Sequence, residues 1–272
     1  MLLIGGKDLG ERALSTLVLV PAVLVATYVG GWLFSLVWAL AGCAILYEWG
    51  AIAQLERRRA WFAVGVASLL GAAVALEWGS TQYAFSILML GAAVSAFVVP
   101  QQSGFALAGI LVAGIACLPV MTLRGGGELG LMAVLFLYAV VWATDVFAYF
   151  VGRLIGGPKL WPKVSPNKTW SGSIGGALAG MSAGLAVAFF AGLPSAWPLA
   201  AFAFAMSIAG QGGDLAESAA KRFFGVKDTG RLIPGHGGFL DRLDGFAAAS
   251  LVAVVVALLR NGVDPAAGLL LW

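Results

Sequence analysis

Residues 214–244 read DLAESAAKRFFGVKDTGRLIPGHGGFLDRLD, a polar stretch in a chain that is 61% hydrophobic and 11% charged. It holds four Asp, one Glu, two Lys, three Arg and the single His, from a total of 13 acidic and 16 basic residues in 272. Charge beside a bilayer is costly, so a concentration of it there marks a functional site. Asp214, Glu217, Ser218, Lys221 and Arg222 are spaced to share one helix face. Acids at one end and bases at the other suit a metal followed by a phosphate chain. A solvated face laced with i,i+4 ion pairs is the competing reading. Asp241 and Asp244 are three apart and open the last apolar run. With Asp214 they offer hard carboxylate oxygens, which Mg²⁺ accepts together with substrate phosphates. A helix dipole also favours acids at its start, so both readings stand.

Between these acids runs KDTGRLIPGHGG, containing Lys227, Asp228, His236, Gly237 and Gly238. Its Gly and Pro content predicts a loop that brings backbone close to a ligand. His236 is open to three roles: phosphate ligand, acid/base or loop hydrogen-bonder. Zinc is disfavoured, because no second His or suitably spaced Cys accompanies it. A second loop, 152–176, supplies Arg153, Lys159, Lys163 and Lys168, and its SPNKTW segment predicts a helix start capped by Ser or Asn. Such a start, with basic groups beside it, binds anions. Positive-inside topology also accounts for Lys159 and Lys163. No GxxxxGK[ST] occurs, so an ATPase P-loop is not supported. Asp145 and Glu48 lie inside apolar runs and are expected to face the bundle interior. Asp145 falls near the metal centre, while Glu48 is open between a role and a structural hydrogen bond to a neighbouring helix.

The elements that position these groups are membrane helices. A soluble domain of this length carries about a quarter charged residues. The apolar residues here fall in runs near 13–30, 31–53, 61–77, 82–99, 104–121, 129–151, 173–192, 197–212 and 245–260. The fold class is therefore all-α: a polytopic bundle of about nine transmembrane helices. The alternation of a β-barrel is missing. One membrane-embedded domain is expected over 1–272, with N-terminal helices to about 125 and a catalytic part over about 129–260. Cys43 and Cys117 sit in apolar runs and imply neither a disulfide framework nor a metal site. The N-terminus lacks a secretory-signal pattern and reads as a retained first helix. With the N-terminus in the cytoplasm, only Arg124 and Arg260 among the Lys and Arg fall outside. That satisfies the positive-inside rule and turns both polar loops toward the cytoplasm, where nucleotides are.

The run Ser218-Ala-Ala-Lys221-Arg222-x4-Lys227-Asp228-Thr-Gly230-x2-Ile233-Pro234-Gly-His236-Gly237-Gly238-Phe-Leu-Asp241-Arg242-Leu-Asp244 closely resembles the signature of the phosphatidate cytidylyltransferase (CDP-diacylglycerol synthase) family. The stretches Asp145-Val-Phe-Ala-Tyr-Phe-Val-Gly-Arg153 and Ser165-Pro-Asn-Lys168-Thr-Trp are similar to further parts of it. Ala220, Ser171 and Gly245 depart from the family pattern, which usually has a larger apolar residue, Glu and Ser there. None of these touches a charged position. The resemblance implies a nucleotidyltransferase of phospholipid biosynthesis that converts CTP and phosphatidate to CDP-diacylglycerol and pyrophosphate. It implies a Mg²⁺ centre built by Asp214, Asp241 and Asp244 with Asp145 contributing, and a second cation is left open. Lys221, Arg222, Lys227, Arg242 and Lys168 would hold phosphates, while Ser218, Asp228, His236, Gly237 and Gly238 shape the substrate pocket. It further implies a homodimer. The charges cluster beside helix ends, which suits anionic lipid or phosphate partners rather than nucleic acid, and the chain is expected in the cytoplasmic (inner) membrane with its active site facing the cytoplasm. A transporter would instead place charges near the midplane and show an internal repeat. A related CTP-dependent transferase or isoprenoid-alcohol kinase would lack the long Lys-Asp to Asp-Arg-x-Asp run.

Overall fold

A hydrocarbon solvent leaves no partner for an open N–H or C=O, so apolar runs of this length close their hydrogen bonds within helices. The computed structural model describes residues 6–194, 196–235 and 237–272, with side chains from residue 15 onward. Helices α1 (Gly6–Val29), α2 (Gly31–Ile52), α3 (Arg58–Glu77), α4 (Thr81–Val98), α5 (Ser103–Arg124) and α6 (Gly127–Ile155) come first. A two-stranded antiparallel ribbon follows, β1 (Lys159–Trp161) and β2 (Ser165–Thr169). Helices α7 (Trp170–Phe190), α8 (Ala196–Phe223), α9 (Leu240–Arg260) and α10 (Pro265–Leu270) complete the chain.

Each of the nine apolar runs forms a helix. Among the described residues, seven helical segments are long and apolar enough to cross a membrane. The described apolar part of α1, Ser15–Val29, is shorter. Helix α8 is not among the seven, because Gln211 and then Asp214, Glu217, Lys221 and Arg222 dilute its apolar half.

Two local expectations need correction, and one further helix appears. SPNKTW is not a helix start capped by Ser or Asn: Ser165–Thr169 is a strand, and Thr169 caps α7 by accepting from Gly172 N at 3.1 Å. The ribbon pairs Lys159 with Thr169, which leaves Thr169 extended and free to act as the cap. Arg153 belongs to α6 rather than to the loop, because α6 continues to Ile155 and ends at Gly156 with φ 66°. Helix α10 was not expected; Pro265 begins it and Asp264 caps it by accepting from Ala267 N at 3.0 Å.

The chain separates into two compact units. The first holds the described residues through Met121 together with Phe224–Leu243. Trp61, fully buried, donates its indole N–H to Ala106 O at 2.9 Å, and Trp49 donates to Phe105 O at 2.8 Å. Buried indoles need such partners. The second unit holds Thr122–Phe223 and Asp244–Trp272. Here Thr144 Oγ1 donates to Ser207 Oγ at 2.7 Å between α6 and α8, and Gln211 Nε2 donates to Ser173 O at 3.1 Å between α8 and α7. Between helices in lipid, packing of small residues and bonds of this kind take over from the hydrophobic effect.

Candidate active site

In the second unit the polar stripe forms as expected, because α8 runs on to Phe223 and carries Asp214, Glu217, Ser218, Lys221 and Arg222 in its last three turns. Part of it obeys the ion-pair reading: Lys221 Nζ meets Glu217 Oε2 at 2.7 Å, four residues apart and largely buried. Asp214 instead pairs with Lys168, which β2 brings from the other polar loop. Asp244, on α9, lies near enough to Asp214, Asp145 and Lys221 to feel their charges. Helices α8 and α9 approach closely at this point. A Cβ on Gly213 would stand 2.5 Å from Ala248 Cβ and 2.7 Å from Asp244 O, so only glycine fits. Asp145 departs from the expected burial: it is exposed, and it borders a small cleft lined by Val141, Thr144, Met206, Ser207, Gly210 and Gly245. Ser218 is half-buried and Arg222 is exposed.

The first unit holds the signature loop. Lys227, Asp228, Arg231 and Arg242 are exposed. Asp241, in the first turn of α9, has its carboxylate engaged by backbone. Thr229 N donates to Oδ2 at 2.9 Å and Gly238 N donates to the same oxygen at 2.9 Å. Gly237 has φ 89°, a conformation open to glycine, and its hydrogen bond from Ile233 N at 2.9 Å closes the turn. His236 lies outside the described residues.

Two residues support this loop: Glu48, for which the sequence left open a role or a structural hydrogen bond to a neighbouring helix, makes that bond to the start of α9, and Thr229, which sequence reasoning left without a role, joins it. Glu48 of α2, 2% exposed, accepts from Phe239 N at 3.0 Å, Leu240 N at 3.1 Å and Thr229 Oγ1 at 3.3 Å. Thr229, 4% exposed, thus links Asp241 through its N–H and Glu48 through its hydroxyl. The signal was present: a single acid in an apolar run, and a helix start, Gly-Gly-Phe-Leu, with no Ser, Thr, Asn or Asp to cap it.

Among the described residues, no three acidic, histidine or cysteine side chains come together tightly enough to hold an ion by themselves. The donor chemistry of Asp214, Asp244 and Asp145 nonetheless fits Mg²⁺, which keeps several waters and binds through one or two carboxylates plus phosphates. Lys168 already places a cation on Asp214.

The cytidylyltransferase family profile matches residues 10–259. A phosphatidate cytidylyltransferase of Brucella abortus biovar 1 (strain 9-941) is 43% identical over 249 residues, 90% of this chain and 91% of that protein. Proteins of the same name from Staphylococcus haemolyticus (strain JCSC1435), 44% identical over 54% of this chain and 55% of theirs, and Staphylococcus epidermidis (strain ATCC 35984), 50% identical over 43% of this chain and 45% of theirs, are similar over a shorter part.

Proposed function

We propose that this chain, which belongs to the cytidylyltransferase family, transfers a cytidylyl group from CTP to phosphatidate, releasing pyrophosphate. A phosphate oxygen of phosphatidate attacks the α-phosphorus of CTP. The bond from that phosphorus to the bridging oxygen of the β-phosphate breaks, and pyrophosphate leaves with that oxygen. The attacking phosphate is already anionic, so the protein has little proton transfer to perform. Its task is to align the reacting atoms and to offset the charge on four phosphates. The observation that carries this reading is the meeting of Lys168 with Asp214 beside Asp244, Asp145 and Lys221, acids and bases drawn from separate segments.

We assign Asp214, Asp244 and Asp145 to a Mg²⁺ ion. Bound there, that ion supplies charge neutralisation on the phosphates. Lys168, Lys221, Arg222, Lys227 and Arg242 hold CTP phosphates or the lipid headgroup. Arg suits two-pronged contacts with phosphate oxygens and Lys acts as a point charge. Ser218, Asp228, His236, Gly237 and Gly238 line the substrate pocket. Asp241, a metal ligand by family resemblance, has its oxygens turned to loop amides; its contribution in this proposal is to hold the loop. Both polar loops face the cytoplasm, the chain resides in the cytoplasmic membrane and it acts as a homodimer.

The deciding experiment supplies purified chain with phosphatidate, Mg²⁺ and CTP labelled in the cytosine ring. Label is expected in organic-extractable lipid, in proportion to the pyrophosphate released. Chelation of Mg²⁺ stops both, and added Mg²⁺ restores both. Pyrophosphate without labelled lipid would mean simple CTP hydrolysis and would overturn the reading.

A further inference from the structure

The start of α9 lacks a cap of its own, since Phe239 precedes Leu240 and offers no side-chain oxygen. Its first N–H groups would be orphans in a buried setting. Glu48, in the last turns of the apolar helix α2, fills that need from 191 and 192 positions away: Oε1 takes Phe239 N and Oε2 takes Leu240 N. The second oxygen also takes the Thr229 hydroxyl, and the Thr229 N–H goes on to Asp241. The fit leaves no spare room. A Cβ on Gly230 would stand 2.4 Å from Glu48 Oε1, and one on Gly238 would stand 2.4 Å from Thr229 Oγ1 and 2.6 Å from Glu48 Oε2. One carboxyl group therefore ties Thr229 to the start of α9 and closes the segment between them, which carries the Gly-Gly pair and directly follows Lys227 and Asp228.

We propose that Glu48 is a positioning residue for nucleotide binding, holding residues 229–240 in the conformation that presents the loop to CTP. The proposal rests on the transfer reaction above. Glutamine at this position keeps the size but replaces one oxygen with a donor, which faces a backbone N–H or a hydroxyl already directed inward. Aspartate keeps both acceptors and retracts them by one methylene.

The test uses the full chain in lipid nanodiscs, with Glu48→Gln, Glu48→Asp and Thr229→Val. Ser35→Ala serves as a control, because Ser35 Oγ donates to Glu77 Oε1 at 2.5 Å elsewhere in the same unit. Glu48→Gln is expected to speed hydrogen exchange across 229–240 and to raise KM for CTP at least about tenfold, as loss of a charge-assisted bond should, with KM for phosphatidate unchanged. Aspartate restores part of the loss, and Thr229→Val moves the same quantities less. Ser35→Ala lowers Tm without moving KM. Exchange unchanged in Glu48→Gln overturns the proposal, as does a rise in KM that Ser35→Ala reproduces at equal loss of Tm. Should Glu48→Gln fail to fold, Thr229→Val carries the same exchange and KM readouts, with unchanged values overturning it. A wild-type chain that forms no labelled lipid would remove the reaction, while exchange in the variants would still decide whether Glu48 holds the loop.

Discussion

Lys168 and Asp214 show how magnitude separates a structural pair from a functional one. Their side chains are 27% and 38% exposed, and an ion pair in that setting adds at most about 1 kcal/mol to stability. Lys168→Met is therefore expected to leave Tm nearly unchanged while lowering kcat/KM for CTP; a variant with normal turnover would return Lys168 to a topology charge. Asp244→Asn should raise the Mg²⁺ concentration for half-maximal turnover by at least about 10-fold, the smallest loss typical even of groups that only support a metal ligand, with helicity by circular dichroism intact. An unaltered Mg²⁺ dependence would take Asp244 out of the proposed metal set. Glu217 has a different reading, since its bond to Lys221 realises the i,i+4 ion-pair alternative within the same stripe. The stripe was legible from spacing alone. Which of its members pair along the helix and which reach outward was not, because Lys168 arrives from a strand 46 residues earlier in the chain.

The elements that carry these side chains depend on a few close approaches. Gly213 permits α8 to pass α9 at the level of Asp244. Gly213→Ala forces backbone to shift, since the nearest obstacles include a carbonyl oxygen, and overpacking of this kind costs about 1–3 kcal/mol. A lowered Tm with proportionally larger loss of turnover is expected; an unperturbed Tm would show that the two helices can part without penalty. Thr169 plays the smaller part of a helix cap, and Thr169→Ala should cost about 1 kcal/mol by denaturant titration. The long helices and the loop after α8 were legible because long apolar runs and Gly-Pro punctuation are local signals. The ribbon at 159–169 escaped because its strands are short and its register is set by pairing rather than by an alternating pattern. That pairing displaced the cap from Ser165 or Asn167 to Thr169.

At the scale of the whole molecule, the distribution of Lys and Arg predicts topology. With Cys43 and Cys117 replaced by Ala, single cysteines at Lys163 and Lys227 should react with a membrane-impermeant thiol reagent only from the cytoplasmic side, and one at Arg124 only from the other if it is reached at all, since Arg124 is buried. Reaction of Lys163→Cys from the outside would reverse the orientation. Composition and run length determined by themselves that this is a predominantly helical membrane protein, and the charged run carried the family, because both signals are local in the chain. The tertiary structure alone decided that Glu48 supports the signature loop, that Lys168 answers Asp214 and that Asp241 turns its oxygens to loop amides. Those facts depend on bonds closed between residues far apart in sequence, and no local pattern encodes which buried donor an isolated acid will meet.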